Sequence, residues 1–457
     1  TYAQKISWEG EILWGEEGVK CADMAFDQER PFICSDGAGG AIIAYRYPTN
    51  DEDFDIYMQR LDEAGNRLWD DEGFLLTSNN IDDSVESLTP DGEGGTMVLW
   101  RTSIRDGSRN LWIQRVNENH ELLWGENRLV SNEAGNRREC AIARHEEGYV
   151  VVWRDEQVDD FYILGQFINN DGSFRWDQFP SGYMICTNDF YPGRPTVSVG
   201  ADNNIWVAWE DFRNFEGTDL YMQKLSSQAN NRGEPDILFR VDDEPIDNGI
   251  PVCRSAGDQR LPAITTDGNN GIWLVWEDYR GGVWSDIYGT HLTTDGVPFD
   301  GWSENGLLVC GATHRQQIPK AALINDSGDE GIAVVWEDKR ATGMEELSNI
   351  FIQALDDGMV SVPDQVVIQP TGFILQNPFP NPFNSTSTIN YTLFHMGLIN
   401  LTIYDLHGRE VMTLLDGTQD RGSYTLPISA DKLNSGLYIV RLTTGNRTAT
   451  RKLAVVK

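Results

Sequence analysis

Several familiar features are absent from this 457-residue chain. It has no run of about 18 apolar residues, the length that crosses a bilayer as a helix, so we predict no membrane-spanning segment. It has no HExxH, no G-x-S-x-G, no phosphate-binding loop and no dinucleotide fingerprint. Its six histidines share no motif, and its six cysteines form no CxxC pair. We therefore predict no enzyme, no catalytic residue and no bound metal, and no ligand-binding residue can be named.

Basic residues are also scarce. The chain has 36 Lys and Arg against 71 Asp and Glu, a formal net charge of −35. After residue 366 there are five acidic and eight basic residues, so that this tail carries +3 and the first 366 residues carry −38. A domain this acidic repels nucleic acid and anionic membrane surfaces, and we predict neither as a partner.

Acidic residues cluster in four stretches that could attract a divalent cation. We interpret them as solvated loops, because calcium ligands usually alternate around a tight turn. Calcium is the only cofactor that they leave open, and we otherwise predict none. The stretches lie at 51–55, 82–83, 242–244 and 326–330.

One block recurs six times along most of the chain. A short apolar run ends in an aromatic residue, a polar turn follows, and a second strand of the type DIYMQRL comes next. The spacing of these anchor aromatics is 53 to 67 residues. In chain order the anchors are Tyr45, Trp100, Trp153, Trp209, Trp276 and Trp336.

Each unit supplies four strands by this pattern. A strand closed by a glycine-rich turn, such as PFICSDGAGG, precedes the anchor strand, and an element of the type GNRLW follows the DIYMQRL strand. Four short strands in a unit of this length are typical of a β-propeller blade, in which radial repetition protects the sheet edges. We predict an all-β chain with a propeller of six or seven blades over residues 1–362.

The N-terminus begins inside a unit. Residues 1–6 resemble the DIYMQRL strand and residues 10–18 resemble GNRLWDDEG, so they form the outer half of a blade. No signal peptide is recognised at Thr1. The start of the numbering inside a repeat suggests that a leader has been removed. The hairpin either closes the ring in an unusual way or pairs with an edge on another molecule, which would be a route to self-assembly.

Two further patterns follow the repeat. Trp-Glu-Asp-x-Arg occurs at 209–213, 276–280 and 336–340, and we interpret it as structural, with Asp shaping a turn and Arg pairing with it. The cysteines also follow the repeat, and we expect buried free thiols. Trp206, Trp273 and Trp284 are aromatics that could stack on sugar, but the first two fit the core better.

The composition changes after residue 355. We predict a linker at 363–372 and a small antiparallel sandwich at 373–457, because Trp disappears, acidity falls and short strands follow at regular spacing. Four segments in this tail resemble the hallmarks of the C-terminal sorting domain of type IX secretion, which has an immunoglobulin-like fold. Their characteristic residues are Pro380, Asn381, Pro382, Phe383, Asn384, Tyr404, Asp405, Gly408, Gly436, Tyr438, Lys452 and Lys457.

This resemblance implies export by the type IX secretion machinery of a Gram-negative, Bacteroidetes-like bacterium, to the outer-membrane surface or the extracellular medium. Three functions remain open. The first is a non-enzymatic structural scaffold that self-assembles into a fibre or surface layer. The second is an adhesin that binds extracellular glycans or proteins. The third is a propeller enzyme that degrades polysaccharide through a pair of carboxylates, which the sequence cannot select from 71 acidic residues.

Overall fold

The computed structural model forms two compact units, Thr1–Val366 and Val367–Lys457. The predicted linker at 363–372 lies outside the residues that the structure describes, so the boundaries 1–362 and 373–457 stay predictions. The described residues are 1–7, 11–15, 18–49, 53–79, 81–104, 107–131, 136–156, 160–187, 191–312, 314–326, 329–339, 349–356, 373–375, 378, 380–393, 397–405, 408–420, 422–444 and 447–456.

The first unit consists of a short N-terminal pair of strands and six successive groups of antiparallel strands, which we call repeats 1 to 6. The N-terminal pair is β1 (Tyr2–Ala3) and β2 (Val19–Lys20). Repeat 1 contains β3 (Glu29–Ser35), β4 (Ala41–Pro48), β5 (Phe54–Leu61) and β6 (Phe74–Leu75). Repeat 2 contains β7 (Asp82–Pro90), β8 (Thr96–Ser103), β9 (Arg109–Val116) and β10 (Arg128–Leu129). Repeat 3 contains β11 (Asn136–His145), β12 (Gly148–Glu156), β13 (Phe161–Asn169) and β14 (Tyr183–Cys186).

Repeats 4 to 6 keep this order with local additions. Repeat 4 contains β15 (Gly193–Val199), β16 (Ile205–Asp211), β17 (Asp219–Ala229), β18 (Pro235–Ile237), a small hairpin of β19 (Arg240–Val241) and β20 (Glu244–Pro245), and β21 (Ile250–Cys253). Repeat 5 contains β22 (Gln259–Thr266), β23 (Ile272–Asp278), β24 (Asp286–Leu292) and β25 (Leu307–Cys310). Repeat 6 contains β26 (Gln316–Asp326), β27 (Asp329–Asp338) and β28 (Asn349–Asp356).

The cores of this unit lie between neighbouring sheets. All seven residues of β23 are buried, because one face packs against repeat 4 and the other against repeat 6. Similar apolar clusters join every consecutive pair of repeats. The innermost strands β3, β7, β11, β15, β22 and β26 contact one another in that order. The unit is therefore all-β and propeller-like, as the repeat predicts.

One part of the strand assignment was wrong. GNRLW and its equivalents do not form the fourth strand but make single bridges, such as Leu61 to Arg67 and Val116 to Leu122. The outermost strand comes later, at β6, β10, β14, β21 and β25. The tryptophan of the element instead points to the next repeat. There its indole donates a hydrogen bond to a backbone carbonyl, from Trp69 to Glu118 and from Trp124 to Asn170, each at 3.0 Å.

The N-terminal hairpin docks on repeat 1 in the same way. Its Trp14 donates to the carbonyl of Glu63 at 3.0 Å and packs in a cluster with Tyr45 and Leu61. The segment thus has the place and contacts of the outer half of a preceding repeat, as its sequence predicts.

A buried carboxylate shapes the turn between the two inner strands of a repeat. Asp91 accepts backbone N–H bonds from Glu93 and Gly95, both at 2.8 Å, and Arg115 from the third strand donates to its other oxygen at 3.1 Å. In repeats 1, 4 and 5 an Asp in the equivalent turn also contacts an Arg, Lys or His side chain of the third strand. The pairs are Asp36 with Arg60, Asp202 with Lys224 and Asp267 with His291.

The second unit is a sandwich of two antiparallel sheets around one apolar core. The smaller sheet contains β29 (Phe373–Leu375), β30 (Thr386–Leu393) and β33 (Gly422–Ser429), and the larger contains β31 (Gly397–Asp405), β32 (Glu410–Gln419), β34 (Gly436–Thr444) and β35 (Arg447–Val455). One 3-10 turn, Ala430–Lys432, is the helical element among the described residues.

We expect Asp91→Asn to lower the free energy of unfolding by about 2 kcal/mol, because it weakens a buried ion pair and leaves Arg115 under-compensated. Asp62→Asn is the matched control. Asp62 caps the same kind of turn through Ala64 and Asn66 but lies at the surface, so a smaller change is expected. Urea unfolding of both variants measures this, and equal destabilisation would contradict a special role for the buried pair.

Candidate functional site

The six anchor aromatics are core residues. Tyr45, Trp100, Trp153, Trp209, Trp276 and Trp336 are all buried. A glycine with positive φ lies against the ring in several repeats: a Cβ added at Gly306 would lie 2.3 Å from Trp276, and one at Gly249 would lie 2.5 Å from Trp209. These glycines make room for the large ring at a backbone conformation that other residues rarely adopt.

The Trp-Glu-Asp-x-Arg motif is a structural turn, as predicted. Asp278 accepts from the indole of Trp276 at 2.8 Å and from three nitrogens of Arg280, which also stacks on Tyr288. Asp211 makes the same set of bonds in repeat 4. In repeat 6, Trp336 bonds Asp338, and the arginine at 340 lies outside the described residues.

The residue between Trp and Asp in this motif is different. It follows the anchor on the second strand, and it is Arg46, Arg101 and Arg154 in repeats 1 to 3 but Glu210, Glu277 and Glu337 in repeats 4 to 6. This change of charge is visible in the aligned repeats of the sequence, directly after each anchor aromatic, and it was not among the predicted site positions. Positions that break a repeat are better candidates for function than positions that define it.

These six side chains belong to one end of the repeat unit. We call it the motif end: it comprises the beginning of each innermost strand, the end of each second strand and the loop that follows. The start of the innermost strand and the end of the second strand lie together because the two strands pair antiparallel, as in Gln259 with Asp278.

Every innermost strand also carries a register irregularity at the motif end. Non-glycine residues there have positive φ, including Glu139 (54°), Arg194 (48°), Leu261 (51°) and the β-branched Ile318 (55°). Such backbone is strained and persists only where its surroundings enforce it. Bulges of this kind re-aim side chains and are frequent beside functional sites.

In repeats 4, 5 and 6 a glutamate from the preceding repeat accepts a hydrogen bond from the backbone of the bulge. The N–H of Arg194 donates to Glu139 at 2.8 Å, that of Leu261 to Glu210 at 2.7 Å, and that of Ile318 to Glu277 at 2.7 Å. The structural consequence is a chain of carboxylates that links repeat 3 to repeat 6.

Two of these glutamates share an arginine. Arg194 Nε lies 3.8 Å from Glu139 and 3.5 Å from Glu210. Burial raises the pKa of Glu210 to about 7, although Arg194 and the bond from Leu261 oppose the rise. Burial also raises the pKa of Glu277. The motif end thus holds a carboxyl group that can exchange a proton near neutral pH, beside a second carboxylate.

Exposed aromatic rings lie at the same end of the repeats as these charges. Phe26, Tyr191, Phe215 and Trp284 lie in the loops of the motif end and are 42–67% exposed. Each has a second ring beside it, at centroid distances of 4.8–6.2 Å. Trp206 and Trp273, by contrast, are buried in the core, as expected.

Two grooves open at the motif end. One of about 430 Å³ in repeat 2 is lined by residues such as Ile81, Ile104 and Asn110. The other, of about 750 Å³, follows the boundary of repeats 4 and 5 past Glu216, Asp219 and Arg254.

Metal and thiol chemistry find little support. Within the described residues, no group of three or more His, Cys, Asp and Glu side chains could hold a metal ion. All six cysteines are free, and burial raises the pKa of Cys21 to about 11 and that of Cys34 to about 12. Thiols so far from ionisation are poor nucleophiles. No helix in the described part of the chain is long and apolar enough to cross a membrane.

The sorting-motif residues come together in the second unit. Asn381 donates to the carbonyl of Lys452 at 2.8 Å and accepts from the N–H of Ala454 at 2.7 Å. Phe383 is buried and bridges Val455 in parallel. The segment of Pro380, Pro382 and Asn384 therefore lies against the last strand, while Lys457 lies outside the described residues.

The central hallmark segments form adjacent strands and a turn. Asp405 is the cross-strand partner of Tyr438, and Gly436 pairs with Val455. Asp405 also accepts from the N–H and the guanidinium of Arg409, while Gly408 supplies the positive φ of 77° that the turn needs. Tyr404 stacks under Arg441.

Comparison with known proteins identifies the second unit. Residues 377–456 match the family described as the secretion system C-terminal sorting domain. No curated protein matches the chain.

Among solved structures, the chain is similar to a protein of unknown function from Dyadobacter fermentans (10% identity, TM-score 0.44, covering 73% of this chain and 95% of that one). It is also similar to an α-L-arabinanase from Penicillium chrysogenum in complex with arabinobiose (12%, 0.42, 72% and 93%). A third is PorZ, a surface component of the type IX secretion system of Porphyromonas gingivalis (14%, 0.32, 90% and 51%). Likenesses this distant carry no activity with them.

The raised pKa of Glu210 makes stability depend on pH. The folded state holds this proton up to about pH 7 while an unfolded glutamate loses it near pH 4.3, so the contribution is full below pH 4 and is lost as the pH rises through 7. Relative to Glu210→Gln, the wild type should lose roughly 3 kcal/mol of unfolding free energy across this window.

Chemical unfolding at pH 4 to 8 measures this difference. Glu147→Gln is the control of opposite sign, because hydrogen bonding to Arg175 lowers the pKa of Glu147. Its contribution is lost as the pH falls. A difference in unfolding free energy between wild type and Glu210→Gln that does not change with pH would contradict the raised pKa of Glu210.

Proposed function

Because the chain ends in a type IX secretion C-terminal sorting domain, the protein is exported, and we propose that its repeat unit binds extracellular glycans at the motif end. The observation that carries the proposal is the set of exposed aromatic rings beside a band of arginine and glutamate side chains. Aromatic faces offer flat apolar platforms, and charged groups bond hydroxyls and fix orientation.

The pairing of the rings supports glycan binding and argues against chance exposure of single side chains. Phe26 is paired with Tyr47, Tyr191 with Phe161, and Trp284 with His314. A backing ring restricts the motion of the exposed one, so less side-chain entropy is lost when a ligand covers it. The pairs occur in several repeats at the same end, which suits an extended chain of sugars.

A closed propeller of six or seven blades would gather these loops around one axis. The contacts between successive innermost strands and the docked N-terminal half-repeat favour that arrangement. The self-assembling scaffold has less support. The N-terminal hairpin, its main candidate contact, is packed against repeat 1 of its own chain.

Glycoside hydrolysis is the second candidate. The carboxyl groups of Glu139 and Glu210 both contact Arg194 Nε, and the raised pKa of Glu210 keeps its proton near neutral pH. A protonated carboxyl beside an ionised one is the pair that acid-assisted glycoside cleavage needs. In this role Glu210 donates the proton to the leaving sugar oxygen, and Glu139 acts as base or nucleophile.

Trp284→Ala should weaken binding of the best glycan found in an array screen of the full chain by about tenfold, because it removes a stacking platform. Leu123→Ala is the control, since Leu123 is similarly exposed (43% against 42%) at the opposite end. Isothermal titration measures both. Unchanged binding by Trp284→Ala, or the absence of any glycan ligand, would refute the proposal.

For the hydrolytic candidate, Glu210→Gln should still bind that glycan but release no shortened sugars over hours, while the wild type does. Chromatography of the reducing sugars formed provides the measurement. If the wild type also releases none, the protein binds without cleaving.

A further inference from the structure

Three guanidinium groups lie together at the motif end where repeats 2 and 3 meet. They belong to Arg101, Arg109 and Arg138. Arg109 and Arg138 both donate a hydrogen bond to Asn136 Oδ1, Arg138 from its Nε at 3.2 Å, so that the two guanidinium groups converge on one oxygen. Burial and the positive charges of Arg138 and Arg101 lower the pKa of Arg109. Such a cluster is unexpected in a chain whose first 366 residues carry −38.

The sheet pairing brings these residues together. A single parallel bridge joins Arg109 of β9 to Asn136 of β11, and so links repeats 2 and 3 into one sheet. Arg138 then faces Arg154 directly across the β11–β12 pair. Like charges in opposite positions destabilise a sheet unless another group separates them.

The neighbouring carboxylates offset only part of this charge. Glu86 lies 3.1 Å from Arg101, Glu156 contacts both Arg138 (3.5 Å) and Arg154 (3.3 Å), and Glu139 lies 3.6 Å from Arg154 but is shared with Arg194. Burial raises the pKa of Glu86. Arg101 Nε is the atom that contacts Glu86, whereas the Nε atoms of Arg109 and Arg154 are buried and make no hydrogen bond within the described part of the chain.

We propose that this arginine cluster binds the anionic substituent, a carboxylate or a sulfate, of an acidic glycan whose sugar rings lie on the exposed aromatics of the motif end. This inference rests on the proposed glycan binding and names the class of glycan. Guanidinium groups bind pairs of oxygens of a planar carboxylate or of a tetrahedral oxyanion through charge-assisted hydrogen bonds. The strong negative charge of the whole domain disfavours a dense polyanion, so the ligand carries sparse charges on an otherwise neutral chain.

The chain provides a matched pair of variants. Arg138 and Arg260 occupy the same position of the innermost strand in repeats 3 and 5, and their side chains are 42% and 45% exposed. Arg138 faces Arg154 across the sheet, whereas Arg260 faces Glu277 and bonds Asp258. Replacing either removes one charge from a similar surface, and only Arg138 belongs to the cluster.

The test is titration of the full chain with three galactan oligosaccharides of equal length: one bearing sparse galacturonate residues, one bearing sparse sulfates, and a neutral one. We expect one of the acidic probes to bind at least tenfold more tightly than the neutral one. Arg138→Gln should weaken binding of the preferred acidic probe about tenfold. Arg260→Gln should leave it within about twofold, and unchanged melting temperatures show that both variants are folded.

The outcomes separate the two proposals. Preference for galacturonate assigns the site to carboxylates, and preference for the sulfated galactan assigns it to sulfates. Equal binding of acidic and neutral probes, or equal losses in Arg138→Gln and Arg260→Gln, overturns the acidic-glycan inference but leaves glycan binding standing. If none of the three probes binds but the array finds another neutral glycan, only the inference fails. If the array finds no ligand at all, both proposals fail.

Discussion

Buried carboxylates bonded to backbone N–H groups are the interaction on which the repeat unit depends. Asp91 and its equivalents close the turn within a repeat, and Asp278 and Asp211 shape the turn after the second strand. Glu210 and Glu277 reach into the next repeat and hold its bulge. A negative charge is a stronger acceptor than a neutral group, and its desolvation is compensated by several donors at once.

This dependence explains why an acidic protein can have an orderly interior. Part of its excess of Asp and Glu is not surface charge but internal scaffolding, with three such carboxylates in each of repeats 4 and 5. The apolar clusters between sheets supply most of the burial, whereas the carboxylates determine where chain reversals occur. Glu210 accepts the hydrogen bond that holds a bulge and is also the proton donor proposed for the hydrolytic candidate.

The sequence predicts the repeats well because each anchor strand is a continuous apolar run with a fixed polar ending. It also predicts the sandwich: the short, regularly spaced strands expected in the tail are found, among them Glu410–Gln419 and Gly436–Thr444. It misassigned the outermost strand because GNRLW looks like a strand, while its tryptophan is needed to contact the next repeat. The charged side chains of the motif end were not predicted as a candidate site. Their grouping depends on which residues face each other across strands and repeats, such as Arg138 and Arg154, and no local pattern in the sequence encodes that pairing.

The docking of the first hallmark segment on the last strand of the sandwich has a consequence for how the export signal is presented. Asn381 bonds to the backbone of β35, about seventy positions later in the chain, and Phe383 continues the same edge. The hallmark residues therefore form a shared surface only in the folded sandwich. A receptor that binds this surface therefore recognises the folded sandwich and not a linear segment. A chain without its final strand would lack the last hallmark segment and the partner on which the first one docks.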